Sequence, residues 1–461
     1  MTVYEGSSAG RPDRRIGRAA RRHLDLLTNS GSLMGTTIVT SVLGFAYWWV
    51  AARAFPADVV GHASAAVSAL TLVGTLSMFG MGTLLISELP RLPGREWNFI
   101  ATCLLVATTA ATVGGLIYVA LARFAIPGLR RSVGSAPMTL LLIAGVIITA
   151  TTLVLDDGLL GLMSGPLQLL RNTYFSVAKL IGLGVLAVLP FSVRPGHVLA
   201  TWVVSALVSV LLLAVSLRRR GLSAAVRPDW SLLRGRLGQA LEHNALNLAL
   251  FVPRTMQPLV VAAVISPAAT AAFYTMYMIW SFTTMLPNNL ATTLFAATAG
   301  NMAALRAKVR MALLVSFGLG VPASLVLAAV ARPVMGLFGP QYATLAGPAL
   351  SILALAYPVV VFRPLYFAIA RVMGRVRRAS VFAVFAGVAE LAAAWYGGTR
   401  DDLTGLALWL TAVFVLEGLF TAPTVLRVAL RRPGAPGHAP GRHRLPQQRK
   451  PPAETLVENQ S

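Results

Sequence analysis

Four cations stand inside stretches otherwise apolar enough to cross a bilayer: Arg171, Lys179, Arg254 and Arg363. A charged side chain in hydrocarbon costs at least about 3 kcal/mol, so each must face a wet interior or a partner, and each marks a functional position by default. Arg254 is the plainest case, set between Pro253 and Pro258 in LNLALFVPRTMQPLVVAAVI. At about 100° of helix per residue, His243, Asn247 and Arg254 fall within about 20° of one direction, with Gln257 about 60° away. The next apolar run carries a seam of Tyr274, Tyr277, Ser281, Thr284, Asn288 and Thr292, and the second run repeats it more weakly with Ser64, Ser68, Thr71, Thr75 and Gly82. DDGLLGLMSGPLQLLRNTYFSVAKL aligns Gln168, Asn172 and Lys179 and puts Arg171 at the edge of the stripe. Guanidinium, ammonium, amide and hydroxyl groups on shared faces can bind an anion and still offer hydrogen bonds to a hydroxyl-rich ligand. For the serines and threonines alone, adhesion between helices explains the pattern as well.

Acids are scarce. Glu390 and Glu417 lie within apolar runs, Asp156 and Asp157 are expected at a loop and Glu242 at an interface. Four intramembrane cations against two central acids leave the interior net positive, and a positive interior recruits anions. Two roles are open to Glu390 and Glu417: neutralising Arg363 or Arg254 as buried pairs, or binding a proton or sodium ion that drives movement. No other cofactor is expected. The chain carries no GxxxxGK[ST], HExxH or GxSxG sequence, its six histidines lie apart and Cys103 is its single cysteine. ATP-driven, zinc-hydrolytic, serine-hydrolytic and thiolate-metal chemistry all lack their residues, and an enzyme is not expected.

The elements that must position these groups are membrane helices. Of 461 residues 56% are hydrophobic and 12% charged, and the mean hydropathy is +0.70. That charged share is about half of what a soluble domain carries. Lys and Arg outnumber Asp and Glu 39 to 16, but they stand in short clusters between apolar spans, which points to membrane topology and not to nucleic acid. At about 20 residues per crossing, spans are expected at 32–53, 59–87, 98–122, 136–155, 159–189 and 197–217, then at 237–265, 269–299, 309–331, 345–370, 377–397 and 403–427. These are twelve helices in two sets of six, an all-α integral membrane protein. The expected organisation is a basic N-terminal segment 1–31, a first half 32–217, a basic linker 218–236, a second half 237–428 and a basic tail 429–461.

Basic residues concentrate before the first span, at 88–97, 218–236, 300–310 and 371–378, and from Arg427 onward. The bias places both termini on the cytosolic side of the membrane. RRIGRAARRHLDLL can form an amphipathic helix on the anionic leaflet or serve as a disordered positive-inside signal. The run before Ala52-Arg53-Ala54 is too long for a cleaved signal peptide, so it is taken as an uncleaved first span. The Pro-, Gly- and Arg-rich tail is expected to be disordered. Pro253 and Pro258 each remove a helix hydrogen bond and are expected to bend their helix. AARAFPADVVGHAS (51–64) matches AAVISPAATAAFYT (262–275) faintly, pairing Pro56 with Pro267 as an internal repeat between the halves would.

NSGSLMGTTIVTSVLGFAYWWVAARAFPADVVGHASAA, GMGTLLISELPR and GPLQLLRNTYFSVAKL resemble the polysaccharide-export branch of the multidrug/oligosaccharidyl-lipid/polysaccharide (MOP) flippase superfamily, over most of residues 25 to 430. The resemblance implies two six-helix lobes around a central cavity. It also implies passage of an undecaprenyl-pyrophosphate-linked oligosaccharide from the cytosolic to the outer leaflet, with cavity cations holding the pyrophosphate. Arg171, Lys179 and Arg254 are the positions that fit that role, with Asn247, Asn172, Gln168, Tyr277 and Asn288 beside them. Such a protein works among membrane lipids, next to a polysaccharide polymerase and glycosyltransferases. Tyr274, Tyr277, Trp280 and Trp48 stack on sugar rings in this reading, or anchor helix ends at the interface. Two other readings stay open: a drug/cation antiporter of the same superfamily, which calls for an acidic cavity, and a non-transporting scaffold that gathers glycosyltransferases through basic tails.

Overall fold

A chain surrounded by hydrocarbon must satisfy its backbone internally, and a helix does so within one segment. The computed structural model describes residues 13–126, 130, 133–219, 227–234, 237–297, 302–400 and 402–430, and among them helix is the dominant regular structure. The N-terminal half holds α1 (Asp13–Ala54), α2 (Ala57–Leu76), α3 (Met81–Glu88), α4 (Glu96–Phe124), α5 (Ala136–Gly161), α6 (Gly165–Val188) and α7 (Pro195–Arg219). The C-terminal half holds α8 (Leu237–Val264), α9 (Pro267–Ala297), α10 (Met302–Val315), α11 (Val321–Ala329), α12 (Ala331–Gly336), α13 (Pro340–Leu355), α14 (Tyr357–Val360), α15 (Phe362–Val372), α16 (Val376–Arg400) and α17 (Leu403–Leu430). Among the described residues nine helices are long and apolar enough to cross a membrane, or ten if the bent pair Pro340–Leu355 and Tyr357–Val372 counts as one span. α6 and α9, which carry the densest polar seams, are not among the nine. The basic tail from residue 431, residues 220–226 of the linker and residues 1–12 lie outside the described residues.

Breaks in the helices have local causes. The run expected as one span at 59–87 splits because Phe79 and Gly80 adopt φ of 46° and 78°, a left-handed turn that stops α2 and starts α3. A π-helical turn at Ser316–Gly320 joins α10 to α11. It makes room for the fully buried Tyr357, whose hydroxyl donates to the Ser316 carbonyl at 3.2 Å; a Cβ on Gly320 would lie 1.8 Å from that hydroxyl. The bend of 51° between α13 and α14 precedes Pro358, and Pro364 follows in α15; both lack the N–H that a continuous helix needs. Pro253 and Pro258 behave differently, since α8 continues through both. Gly387 of α16 receives the Pro253 ring so closely that a Cβ there would lie 2.2 Å from Pro253 Cγ.

Near the N-terminus, the basic segment RRIGRAARRHLDLL is the start of α1 and runs without a break into the first apolar span. Part of the linker between the halves is also ordered. The Arg227 and Asp229 amides donate to Asn98 Oδ1 and Thr102 Oγ1 at 3.3 and 2.7 Å, and Arg95 pairs with the Asp229 carboxylate. Leu232 and Leu233 join the core beneath α3 and α4.

The halves meet where their first hairpins turn. Pro56 caps α2 and Pro267 opens α9, so each of the two similar segments holds a helix-to-helix corner. A Cβ on Gly61 would lie 1.6 Å from the Pro267 carbonyl oxygen, a contact that leaves no room for any other residue there. Trp49 Nε1 and Arg53 Nε both donate to the Leu337 carbonyl, at 3.0 and 2.9 Å, tying α1 to the far half on the same side. α2 packs along α8 and α9, whereas α1 barely touches α9. This arrangement closes the corner end and leaves a space between α1 and α9 toward the start of α1.

Candidate anion-binding chamber

That space is a chamber of about 690 Å³. Its walls are α1 from Thr37 to Trp48, α2 at Ser68 and Thr71, α8 from Phe251 to Pro258 and α9 from Tyr274 to Asn289, with Lys179 and Trp202 reaching in from α6 and α7. Two cations and no carboxylate line it among the described residues. A smaller chamber of about 240 Å³ opens into the C-terminal half between α8, α9, α15 and α16. Arg254, Tyr277, Thr284 and Asn288 line both chambers, so Arg254 stands where they communicate.

Each cation is held in its own way. Arg254 is exposed to the chamber, with Cζ 5.6 Å from the centre of the Tyr277 ring. Lys179 is buried at 4% exposure with its ammonium 4.1 Å from the Trp202 ring, 4.6 Å from Phe175 and 5.3 Å from Tyr47. An aromatic face attracts a cation by about 2 kcal/mol when both are desolvated, so three rings can hold an ammonium without neutralising it. No carboxylate among the described residues pairs with Lys179 or Arg254.

The other two cations are paired. Arg363, on the smaller chamber, places Nη1 2.5 Å from Glu390 Oε1 and Nε 3.4 Å from Glu417 Oε2. Gln257 Nε2 donates to Glu390 Oε2 at 3.3 Å. Arg171 is 4% exposed and forks onto Asp156, with Nε 2.7 Å from Oδ1 and Nη2 against Oδ2. Its Nη1 donates to Ser209 Oγ at 3.3 Å and its Nη2 to Asn172 Oδ1 at 2.9 Å. Asn172 completes the ring by donating to Asp156 Oδ2 at 3.2 Å and to the Gln168 carbonyl at 3.0 Å.

This corrects the grouping of Arg171, Asn172 and Gln168 with the chamber cations, because none of the three lines either chamber. Asp156 and Asp157 are not at a loop: α5 extends through Gly161 and puts both inside the helix, Asp156 against α6 and Asp157 beside Gly82 of α3. Arg171 also precedes Lys179 by eight residues, about 12 Å along the axis and about 80° around it, so the two need not share a surface. Asn247 lines neither chamber; it is exposed and accepts from Arg371 Nη2 at 2.7 Å. Tyr277 and Asn288 do line both, with Asn288 Nδ2 donating to the Thr284 carbonyl at 2.7 Å. Arg371, read from the sequence as part of an inner loop, lines the smaller chamber. Of the cage around Lys179, only Phe175 could be found by helical spacing, four residues before it; Tyr47 and Trp202 arrive from other helices.

No protein-family model matches the chain and no curated protein matches it. Solved structures do. The chain is similar to an inward-facing multidrug resistance MATE family transporter of the MOP superfamily, at 13% identity over 85% of this chain and 94% of that one, with a TM-score of 0.62. It is similar to the lipid II flippase MurJ in an inward closed conformation, at 12% identity over 86% and 89%, TM-score 0.62. A third is a MOP superfamily transporter from Pyrococcus furiosus, whose binding pocket is described as reversed in polarity, at 16% identity over 88% and 96%, TM-score 0.56. The chain therefore has the fold shared by MOP transporters and flippases.

Proposed function

We propose that the chain is a flippase that carries a lipid-linked oligosaccharide, held by its pyrophosphate, across a bacterial plasma membrane from the cytosolic leaflet. The observation that carries this reading is the larger chamber, where Lys179 and Arg254 face one space and no carboxylate among the described lining residues offsets them. A pyrophosphate with sugars is charged and hydrophilic, so passage needs a hydrated cationic path with hydroxyl and amide partners. Tyr277, Asn288, Ser281 and Thr284 supply such partners on the lining, while the polyprenyl tail stays in lipid. Twelve crossings in two six-helix lobes, joined by the linker 218–236 with both termini cytosolic, give this path its two faces. Alternation between those faces then moves the head group. Glu390 and Glu417 are the seat of a coupling proton or sodium ion. The chain performs no covalent step of its own and works beside a polymerase and glycosyltransferases.

Depletion in the parent cell tests the reading. Lipid-linked repeat units accumulate on the inner leaflet, wild-type chain restores export, and Arg254→Ala restores none although it reaches the membrane. Full export by Arg254→Ala, together with loss of polymer on removal of residues 429–461, would instead establish a scaffold.

A further inference from the structure

Arg363 stands between two carboxylates, and only one grips it. Glu390 Oε1 lies 2.5 Å from Nη1, whereas Glu417 Oε2 stays 3.4 Å from Nε. Both oxygens of Glu417 are buried without a hydrogen-bond partner, and so is Oε1 of Gln257. A buried acceptor without a hydrogen costs about 1–3 kcal/mol, and more when charged. Arg254 and Arg363 against Glu390 and Glu417 balance at net zero and Arg371 adds one positive charge, so an anion entering the smaller chamber meets a surplus of only one. The other titratable groups facing the cluster are Tyr277 from α9 and Arg371 from the end of α15. Glu417 lies off the chamber wall, behind Glu390 and Arg363, a position that a proton reaches more readily than a hydrated metal ion.

We infer that this cluster couples proton uptake to anion binding: a proton from water adds to the Glu417 carboxylate, loosens the carboxylate hold on Arg363, and frees its guanidinium to pair with a phosphate in the smaller chamber. The proton adds to an unpartnered oxygen, no covalent bond to the ligand forms, and the surplus charge beside Arg254 rises by one. Arg363 thereby becomes the residue that senses whether Glu417 is charged. The inference rests on the reading of the chambers as an anion site.

The test uses the full chain in lipid nanodiscs and uridine diphosphate glucose, a soluble pyrophosphate diester whose two charges are fixed across mildly acidic and mildly alkaline buffers. Wild-type chain is expected to bind it more tightly in acid, by up to about tenfold per pH unit, the limit for linkage to one proton. A pH indicator in weak buffer should report proton uptake on binding, a readout that needs no variant. Glu417→Gln should bind with the acid affinity in both buffers and take up no proton. Wild-type affinity independent of pH, a Glu417→Gln profile like wild type, or affinity that follows sodium at fixed pH would each overturn the coupling while leaving the anion site intact. Absence of binding at any pH would overturn the anion site and the coupling with it.

Discussion

Asp156→Asn is expected to do more harm than removing the pair it belongs to. Arg171 is 4% exposed, and Asp156 holds it through two nitrogens while Ser209 and Asn172 accept two further N–H groups. Neutralising Asp156 leaves a guanidinium with no counter-charge in a low-dielectric core, and breaking a buried pair from one side costs about 3–5 kcal/mol. Arg171→Met added to Asp156→Asn removes the stranded charge and keeps an acceptor for Asn172, so stability should return to within about 1 kcal/mol of wild type, as buried pairs replaced by neutral residues of similar volume generally do. Thermal unfolding of the purified chain in detergent measures both stabilities, and the proposed export, assayed in depleted cells, shows whether the substrate needs Arg171. The single variant should unfold at markedly lower temperature; the double variant should be both stable and active. A double variant that folds as well as wild type but exports nothing would refute the structural assignment of Arg171 and return it to the substrate.

Three further outcomes follow from the geometry. Gly61→Leu drives a side chain into the Pro267 carbonyl, which already lies 1.6 Å from a Cβ position, so the corner end should open; a short thiol crosslinker between cysteines placed at Trp49 and Leu337, in a chain lacking Cys103, should then lose most of its yield. Trp202→Leu removes the ring 4.1 Å from Lys179, and a double-mutant cycle with Lys179→Met should return a coupling of about 1–2 kcal/mol in unfolding, a value near zero meaning that the cage does not hold the charge. The Ser231 hydroxyl and then Arg95 hold the Asp229 carboxyl below its ordinary range. A depressed carboxylate contributes stability above its unfolded pKa and loses it as pH falls through the folded value, so proteolysis at the linker should rise on acidification in wild type and be high and flat with pH in Asp229→Asn.

Helix positions were legible where periodicity decides them. The polar seam from Tyr274 to Asn288 reads off α9 at 100° per residue, and the chamber wall uses it. What the sequence hides is partnership across helices. The scarcity of acids pointed to Arg363 or Arg254 as the partner of Glu390 and Glu417, and the structure pairs both with Arg363, but no spacing rule could choose between the two arginines, because the residues stand on α15, α16 and α17. The misplacement of Asp156 shows how a small boundary error grows. Ending the fourth span at 155 rather than Gly161 turned a buried counter-ion into a loop residue, left Arg171 without its partner, and assigned to the chamber a charge that is neutralised elsewhere. The seat of the Pro253 ring is a glycine of α16 that only tertiary packing reveals, and α8 runs unbroken past it.

The distribution of charge separates what must stay still from what can move. In the N-terminal half Arg171 is bound by one carboxylate through a two-point fork and donates two further N–H groups to Ser209 and Asn172, an arrangement that leaves one of its five N–H donors for any other acceptor. In the C-terminal half Arg363 is shared by two acids at unequal distance, and the farther acid has no hydrogen bond of its own. A fork that breaks from one side loses several kcal/mol, whereas a guanidinium already divided between two acceptors can trade one for an incoming phosphate at smaller cost. Lys179 and Arg254 add fixed attraction through rings, which neither compete with an anion nor carry charge of their own to repel it. Recruitment by the caged pair and release controlled at Arg363 are therefore separable, which is why Arg254→Ala should abolish binding and Glu417→Gln should only remove its dependence on pH.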